Sequence, residues 1–286
     1  MRRLAERIPR LTLRQATPPL CGIGVRSGRP IAVRLLPAEP GDGLTILRTD
    51  LGLRVPLHLD FALDIPSCTA IGPEPATATL YVEHLLATFH ALGVTDAGVE
   101  LDGPEVPLLD GSAAPWCGLI AATGLRQLPG EVAPLVVAEP ITVGDANTTL
   151  TALPPDRDGH ALFRYELEYA SPLIGKQTAS HILAHTDAFE TALAPARTFA
   201  LVAEIEQARA AGVLTGGSEE NCLVVYPDRY SAEPTLPDEF ARHKILDMIG
   251  DLYLLGRPLW GQFVGHRTGH RQNRELLRRI AACATL

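Results

Sequence analysis

Three groups of residues in this 286-residue chain have types and spacing suited to chemistry. Glu83 and His84 stand together in "VEHLLATFHALGV" (82 to 94). His243, Asp247 and Asp251 recur at i, i+4 and i+8 in "EFARHKILDMIGDLYLLG" (239 to 256). "GHRTGHRQN" carries His266 and His270 at a strand-to-helix junction. Two histidines and one carboxylate can fill three positions of a catalytic zinc site and leave the fourth for water. A glutamate beside such a ligand could accept a proton from that water, whose pKa the metal draws toward neutrality. Each group also has a plainer reading. HxxxD on a helix is commonly an i,i+4 polar pair, Glu-His a surface pair, and His270 a helix cap. Spacing alone leaves both readings open.

The elements that must position these groups narrow the choice. The 239–256 run is apolar on nearly all sides and reads as a buried helix. Each four-residue step turns a helix about 40° beyond a full turn, so the three ionisable groups form one stripe. Unpaired buried charge is costly, so something must compensate them. Residues 76–94, "ATATLYVEHLLATFHALGV", read as a second helix closed by Gly93. Around it, "IAVRLLP" and "AGVELDG" read as strands and "AEPGDGLTILRTDL" as turn-rich. "GSAAPWCGLIAATGL" reads as a short helix after the Asp110-Gly111 turn, and residues 129–136 ("PGEVAPLV") as a linker.

Beyond it come strand-like "PITVG", "TTLTAL" and "ALFRYELEYA", then the helix "ALVAEIEQARAAG" and the loop "TGGSEEN". Gly216 and Gly217 in that loop are expected to supply turns of positive φ. After the long helix, ended by Gly256, follow the strand "PLWGQFVG" and the helix "RQNRELLRRIAAC". Each half runs strands, long helix, Gly, strand, second helix. The expectation is an α+β fold of two similarly built domains, 1–128 and 137–286.

Composition excludes several classes. Apolar content of 46% and charged content of 20% suit a globular chain with real cores. The net charge of -8, without a basic block, argues against a nucleic-acid partner. Cys21, Cys68, Cys117, Cys222 and Cys283 are scattered with no CxxC spacing. That disfavours a disulfide framework or a four-Cys zinc site and suits a reducing compartment. The opening "MRRLAERIPRL" is basic, but no sustained apolar core or cleavage site follows. No stretch is long enough to span a bilayer, so a cytoplasmic protein is expected.

The order of the motifs resembles the UDP-3-O-acyl-N-acetylglucosamine deacetylase family, zinc amidases of lipid A biosynthesis. The matching pieces are "GIGVRSG" (22 to 28), "VEHLLATFHALGV", "VELDGPEVPLLDGSAAPW" (99 to 116), "APARTFAL" (194 to 201), "GVLTGGSEENCLVV" (212 to 225), "DEFARHKILDMIGDLYLLGRPLWGQF" (238 to 263) and "TGHRQNRELL" (268 to 277). They cover nearly the whole chain.

The resemblance implies a duplication of two-layer α/β sandwiches of the ribosomal protein S5 domain 2-like type, with the active site between the domains. It implies His84, His243 and Asp247 as ligands of one Zn²⁺, a place Fe²⁺ could also take. It implies Glu83 as general base, His270 as the protonated acid and Asp251 as the group keeping it charged, with Thr198 beside the amide carbonyl. By the same resemblance Lys244 and Arg267 lie near the nucleotide and sugar, and Tyr169 near uracil, although a core aromatic reads equally well there. An insert of about 199–231, including Phe199 and Gly217, would build the acyl passage. The partner implied is a UDP-linked acylated amino sugar, bound by a monomer.

Departures from the family pattern fall on loops and on the acyl passage. Arg26 replaces a histidine, Ala97 follows "GVTD" where "GIDN" is usual, and Ala200 and Leu201 replace Gly and Phe. "GGSEEN" and "EYASP" also depart from the usual elements. These changes leave open a related zinc deacetylase acting on another N-acetylated sugar. A non-catalytic binding protein has no need of Glu83 and His270.

Overall fold

The computed structural model describes residues 7–156, 160–184 and 186–284. The first six residues of the basic opening lie outside it. The first half builds β1 (Ile8–Leu13), β2 (Leu20–Ile23), β3 (Pro30–Pro37), β4 (Leu44–Arg48), β5 (Leu53–Pro56), β6 (Ala62–Leu63), β7 (Ala70–Ile71), α1 (Glu83–Leu92), β8 (Ala97–Leu101), α2 (Ala114–Thr123) and β9 (Leu125–Val132). The second half builds β10 (Leu135–Val136), β11 (Ile141–Gly144), β12 (Thr149–Leu153), β13 (Ala161–Glu168), β14 (Lys176–Leu183), α3 (Thr186–Ala192), β15 (Phe199–Leu201), α4 (Val202–Ala210), β16 (Leu223–Val225), α5 (Glu239–Leu252), β17 (Leu259–His266) and α6 (His270–Ala284).

Two mixed sheets result. One has the order β2-β3-β8-β4-β5, with β4 parallel to β8. The other has β11-β12-β17-β13-β14, with β17 parallel to β13 and to the short β10. Alternation decides the faces: Ile31, Val33 and Leu35 of β3 are buried while Arg34 between them is exposed. Helix α5 rests on β13 and β14, α6 on β11 and β12, and α1 packs against α5. Leu85, Leu86 and Phe89 of α1, Val99 of β8, Leu246 of α5 and Phe263 of β17 share one apolar cluster.

Three expectations need correction. Helix α1 begins at Glu83, not at residue 76. The stretch before it is committed elsewhere: Thr79 exchanges backbone hydrogen bonds with Ile71, and Tyr81 turns the chain at φ 59°. Such bonds compete with a helix for the same backbone groups. Next, residues 129–136 are mostly strand. β9 pairs with β1 through Val132, and β10 pairs with β17. The Pro129-Gly130 turn signal marks an irregularity inside the β1–β9 pair, where Pro9 faces Glu131 and Arg10 faces Leu128. Finally, the segment read as turn-rich contains β4, paired on both sides.

Candidate active site

Helices α1 and α5 bring the candidate groups together because they touch. Gly250 makes this possible: a Cβ there would lie 2.0 Å from the Glu83 carbonyl oxygen and 3.1 Å from the Ala87 nitrogen. At the far end the Tyr253 hydroxyl donates to Val94 O at 2.9 Å, and its ring stacks on His90 at 4.4 Å. The α1 C-terminus closes on Gly93 at φ 71°, whose N–H donates to His90 O. The two helices are thus in register, and Glu83 and His84 face the stripe on α5.

That stripe is buried: His243, Asp247 and Asp251 are 1%, 3% and 0% exposed. Asp247 Oδ1 lies 3.6 Å from His84 Nε2 and 3.5 Å from His243 Nε2. Both distances are too long for hydrogen bonds. They suit neighbouring vertices of a tetrahedron: ligands about 2.0–2.1 Å from a metal stand about 3.4 Å apart. The ligand atoms of these three residues all lie within 4.8 Å of one another.

The donor set is prepared for a cation. His243 Nδ1 lies 3.1 Å from Ala196 O, so its N–H is spent there and Nε2 keeps a lone pair. Burial pushes the His243 imidazolium down to about 3, which leaves the ring neutral. Burial opposes ionisation of Asp247, but His243 and Lys244 beside it hold its carboxyl well below the usual range. Lys244 Nζ donates to Asp247 Oδ2 at 2.9 Å, leaving Oδ1 turned to the histidines.

Beside this cluster stand Glu83 and His270. Glu83 Oε2 accepts from Thr69 N at 3.0 Å, and burial raises its carboxyl above the usual range. Its Oε1 is 4.0 Å from His270 Nε2. His270 Nδ1 bonds Asp251 Oδ2 at 2.8 Å, and Asn273 Nδ2 donates to the same oxygen at 2.8 Å. Burial alone would lower the His270 imidazolium; the Asp251 charge and hydrogen bond, helped by Glu83, win and carry it up to about 9.

A cavity of about 740 Å³ opens over these groups. Glu83, His84, His243, Lys244, Asp247 and His270 line it, with Thr198, Tyr169 and Phe199 on its wall. Thr198 is held by its N–H to Gly111 O at 2.7 Å and by Leu223 N at 2.8 Å to its carbonyl. Its neighbour Arg197 is pinned to α5 through Glu239 at 2.8 Å. Tyr169 meets Phe199 edge-on at 5.5 Å, and Lys244 Nζ stands 5.5 Å from the Phe199 ring. The apolar side chains of Ile65, Leu108, Ala200, Ile205, Ala208 and Leu214 also line it.

Some singled-out residues lie elsewhere. Arg267 is exposed, at φ 54°, and does not line the cavity, whereas Arg271 does. His266 sits 3.7 Å from Glu166, away from the cavity. Gly217 is also outside the lining. Neither Gly216 nor Gly217 has the expected positive φ; Leu214 does, at 56°. Gly216 is small for another reason: a Cβ there would stand 2.1 Å from Gly24 O. Sequence reasoning missed Thr69 and Asn273. Asn273, three residues after His270 on one helix, carried a usable spacing. Thr69 carried none.

The family model for UDP-3-O-acyl N-acetylglycosamine deacetylase matches residues 11–282. The chain belongs to this family. Among its relatives, the UDP-3-O-acyl-N-acetylglucosamine deacetylase of Anaeromyxobacter dehalogenans is 40% identical over 91% of this chain and 84% of its own length. The protein of the same name from Synechocystis sp. is 38% identical over 91% of this chain and 94% of its own. That from Leptospira biflexa is 35% identical over 93% and 88%. All five cysteines of this family member are free, and among the described residues no helix is long and apolar enough to cross a membrane.

Proposed function

We propose that this chain hydrolyses the acetamide of UDP-3-O-acyl-N-acetylglucosamine, releasing acetate and UDP-3-O-acyl-glucosamine, the committed step of lipid A biosynthesis. The observation that carries this reading is the pair of histidine nitrogens at 3.5 and 3.6 Å from one carboxylate oxygen. His84, His243 and Asp247 would hold one Zn²⁺, although Fe²⁺ suits the same N/O set. When bound, that ion polarises the amide carbonyl and acidifies a water.

The chain's own groups supply the rest. Glu83 takes one proton from the attacking water, and burial makes it a stronger base than a free carboxylate. Thr198, on the cavity wall, would help polarise the carbonyl. The water oxygen bonds the carbonyl carbon, the C–N bond breaks, and His270 gives its proton to the departing nitrogen. Asp251 keeps His270 charged until then. Lys244 and Tyr169 would meet the sugar nucleotide, and the apolar wall from Phe199 to Leu214 the acyl chain. Arg267 and Gly217 would act from the rim, beyond the cavity lining.

The fold is read as two domains, 1–128 and 137–286, each a two-layer α/β sandwich, with the site between them. The separate five-strand path of each half supports this. The protein acts in the cytoplasm as a monomer.

The test is acetate release by zinc-loaded protein, with Glu83→Ala as the blank. Glu83→Ala should keep its metal while turnover falls by about 10²–10⁴-fold. Metal bound without release would refute the substrate, and release persisting in Glu83→Ala would refute the base.

A further inference from the structure

Thr69 lies outside every motif that signals the site. It precedes β7 in a first-half loop and is fully buried. Its backbone N–H donates to Glu83 Oε2 at 3.0 Å. Its hydroxyl donates to Asp251 Oδ1, a residue 182 positions away on α5. A hydroxyl has one proton and a carboxylate only accepts, so that proton is committed to Asp251. Asp251 Oδ2 is already taken by His270 and Asn273. With Oδ1 also held, the carboxylate plane is fixed and so is the ring it orients.

The loop is anchored in turn. Buried Arg274 donates from Nη1 to Cys68 O at 3.2 Å and from Nη2 to Asp64 at 3.3 Å. The Thr69 carbonyl accepts from Val82 N at 3.4 Å, immediately before Glu83. One short segment therefore grips the carboxylate of α1 and the carboxylate behind His270 at once.

We propose that Thr69 is a positioning residue: it ties Glu83 to the Asp251–His270 pair and so fixes the 4.0 Å gap between Glu83 and His270. The inference rests on the roles given above to Glu83, Asp251 and His270. It predicts that the Thr69 hydroxyl contributes to turnover without touching substrate or metal.

Thr69→Val removes the hydroxyl, keeps the shape and leaves the N–H to Glu83. kcat should fall by about 10- to 100-fold, a part of what general acid–base catalysis supplies, with KM within about twofold. One metal per chain should remain. Thr69→Ser should recover kcat to within about threefold of wild type. In an Asp251→Asn background, Thr69→Val should cost less than about twofold more, because the two act as one unit.

A Thr69→Val enzyme with wild-type kcat would overturn the proposal. So would Thr69→Ser as slow as Thr69→Val, or a loss confined to KM. Should Thr69→Val not melt cooperatively, Thr69→Ala in the Asp251→Asn background decides, and an additive loss overturns it. Glu83→Ala is assayed alongside. Turnover in Glu83→Ala would sink the reading of the site itself. A dead Glu83→Ala with a full-speed Thr69→Val would sink this inference alone.

Discussion

Adding one methyl group at Gly250 should disable this protein. In Gly250→Ala the new Cβ would stand 2.0 Å from the Glu83 carbonyl oxygen, against an ordinary contact of 3.4 Å, so α1 and α5 must part by about 1.4 Å. Both sides of the clash are helix backbone, which cannot rotate away. Overpacking of this kind costs about 1–3 kcal/mol, offset by about 1 kcal/mol for replacing a helical glycine. A net loss of about 2 kcal/mol, taken from the upper end, corresponds to a fall in Tm on the order of 5 °C.

The effect on function is larger and has a signature. His243 and Asp247 share α5 and keep their 3.5 Å spacing. His84 rides on α1, so its 3.6 Å spacing to Asp247 widens. The metal would lose one ligand of three, and Glu83 would be misplaced by more than 1 Å. A displacement of that size costs about 10²-fold in rate. Gly118→Ala is the control. It is the same substitution in α2, with nothing within 4 Å of the new Cβ, and should stabilise by about 0.5–1 kcal/mol. Melting curves, metal content and acetate release for both variants decide. If Gly250→Ala keeps one metal, its Tm and its kcat/KM, the helix contact is not what assembles the site.

Two further outcomes follow from the geometry. His270, carried up to about 9, should give kcat a basic limb that falls above about pH 9 and disappears in His270→Gln; a wild-type limb near pH 7 would refute the Asp251 pairing. Its folded value lies above the unfolded one of about 6.5, so its contribution to stability is fully present below about pH 6.5 and lost as pH rises through about 9. Gly216→Ala should dislodge the loop held by Gly216 N to Val25 O at 3.0 Å and Thr215 to Arg26 O at 3.0 Å. KM for the acylated substrate should rise by about tenfold with metal content intact, and an unchanged KM would separate that loop from the acyl passage.

The sequence by itself determined much of this protein. The stripe of His243, Asp247 and Asp251 follows from helical periodicity, and its burial from the apolar residues on nearly every other side of α5. Gly93 ends α1 in a positive-φ conformation that only a tolerant residue adopts cheaply; Gly256 has the same conformation but closes a 3-10 turn, Tyr253–Leu255, because α5 itself stops at Leu252. Motif order alone was enough to place the chain in its family.

Tertiary structure decided what periodicity cannot carry. Residues 76–82 have helical spacing, yet pairing of Thr79 with Ile71 and of Leu80 with the chain at 104–106 claims their backbone. Gly216 and Gly250 have no local signature, since their size is set by a backbone from the other half of the chain. Lys244 meets Asp247 at the i,i+3 spacing of a single helix, but only the other half of the chain brings His84 to the same carboxylate. Thr69 is invisible in sequence because its two partners are 14 and 182 positions away. Local sequence fixes which face of a helix carries a group. Only the packing of one helix on another fixes what that group meets.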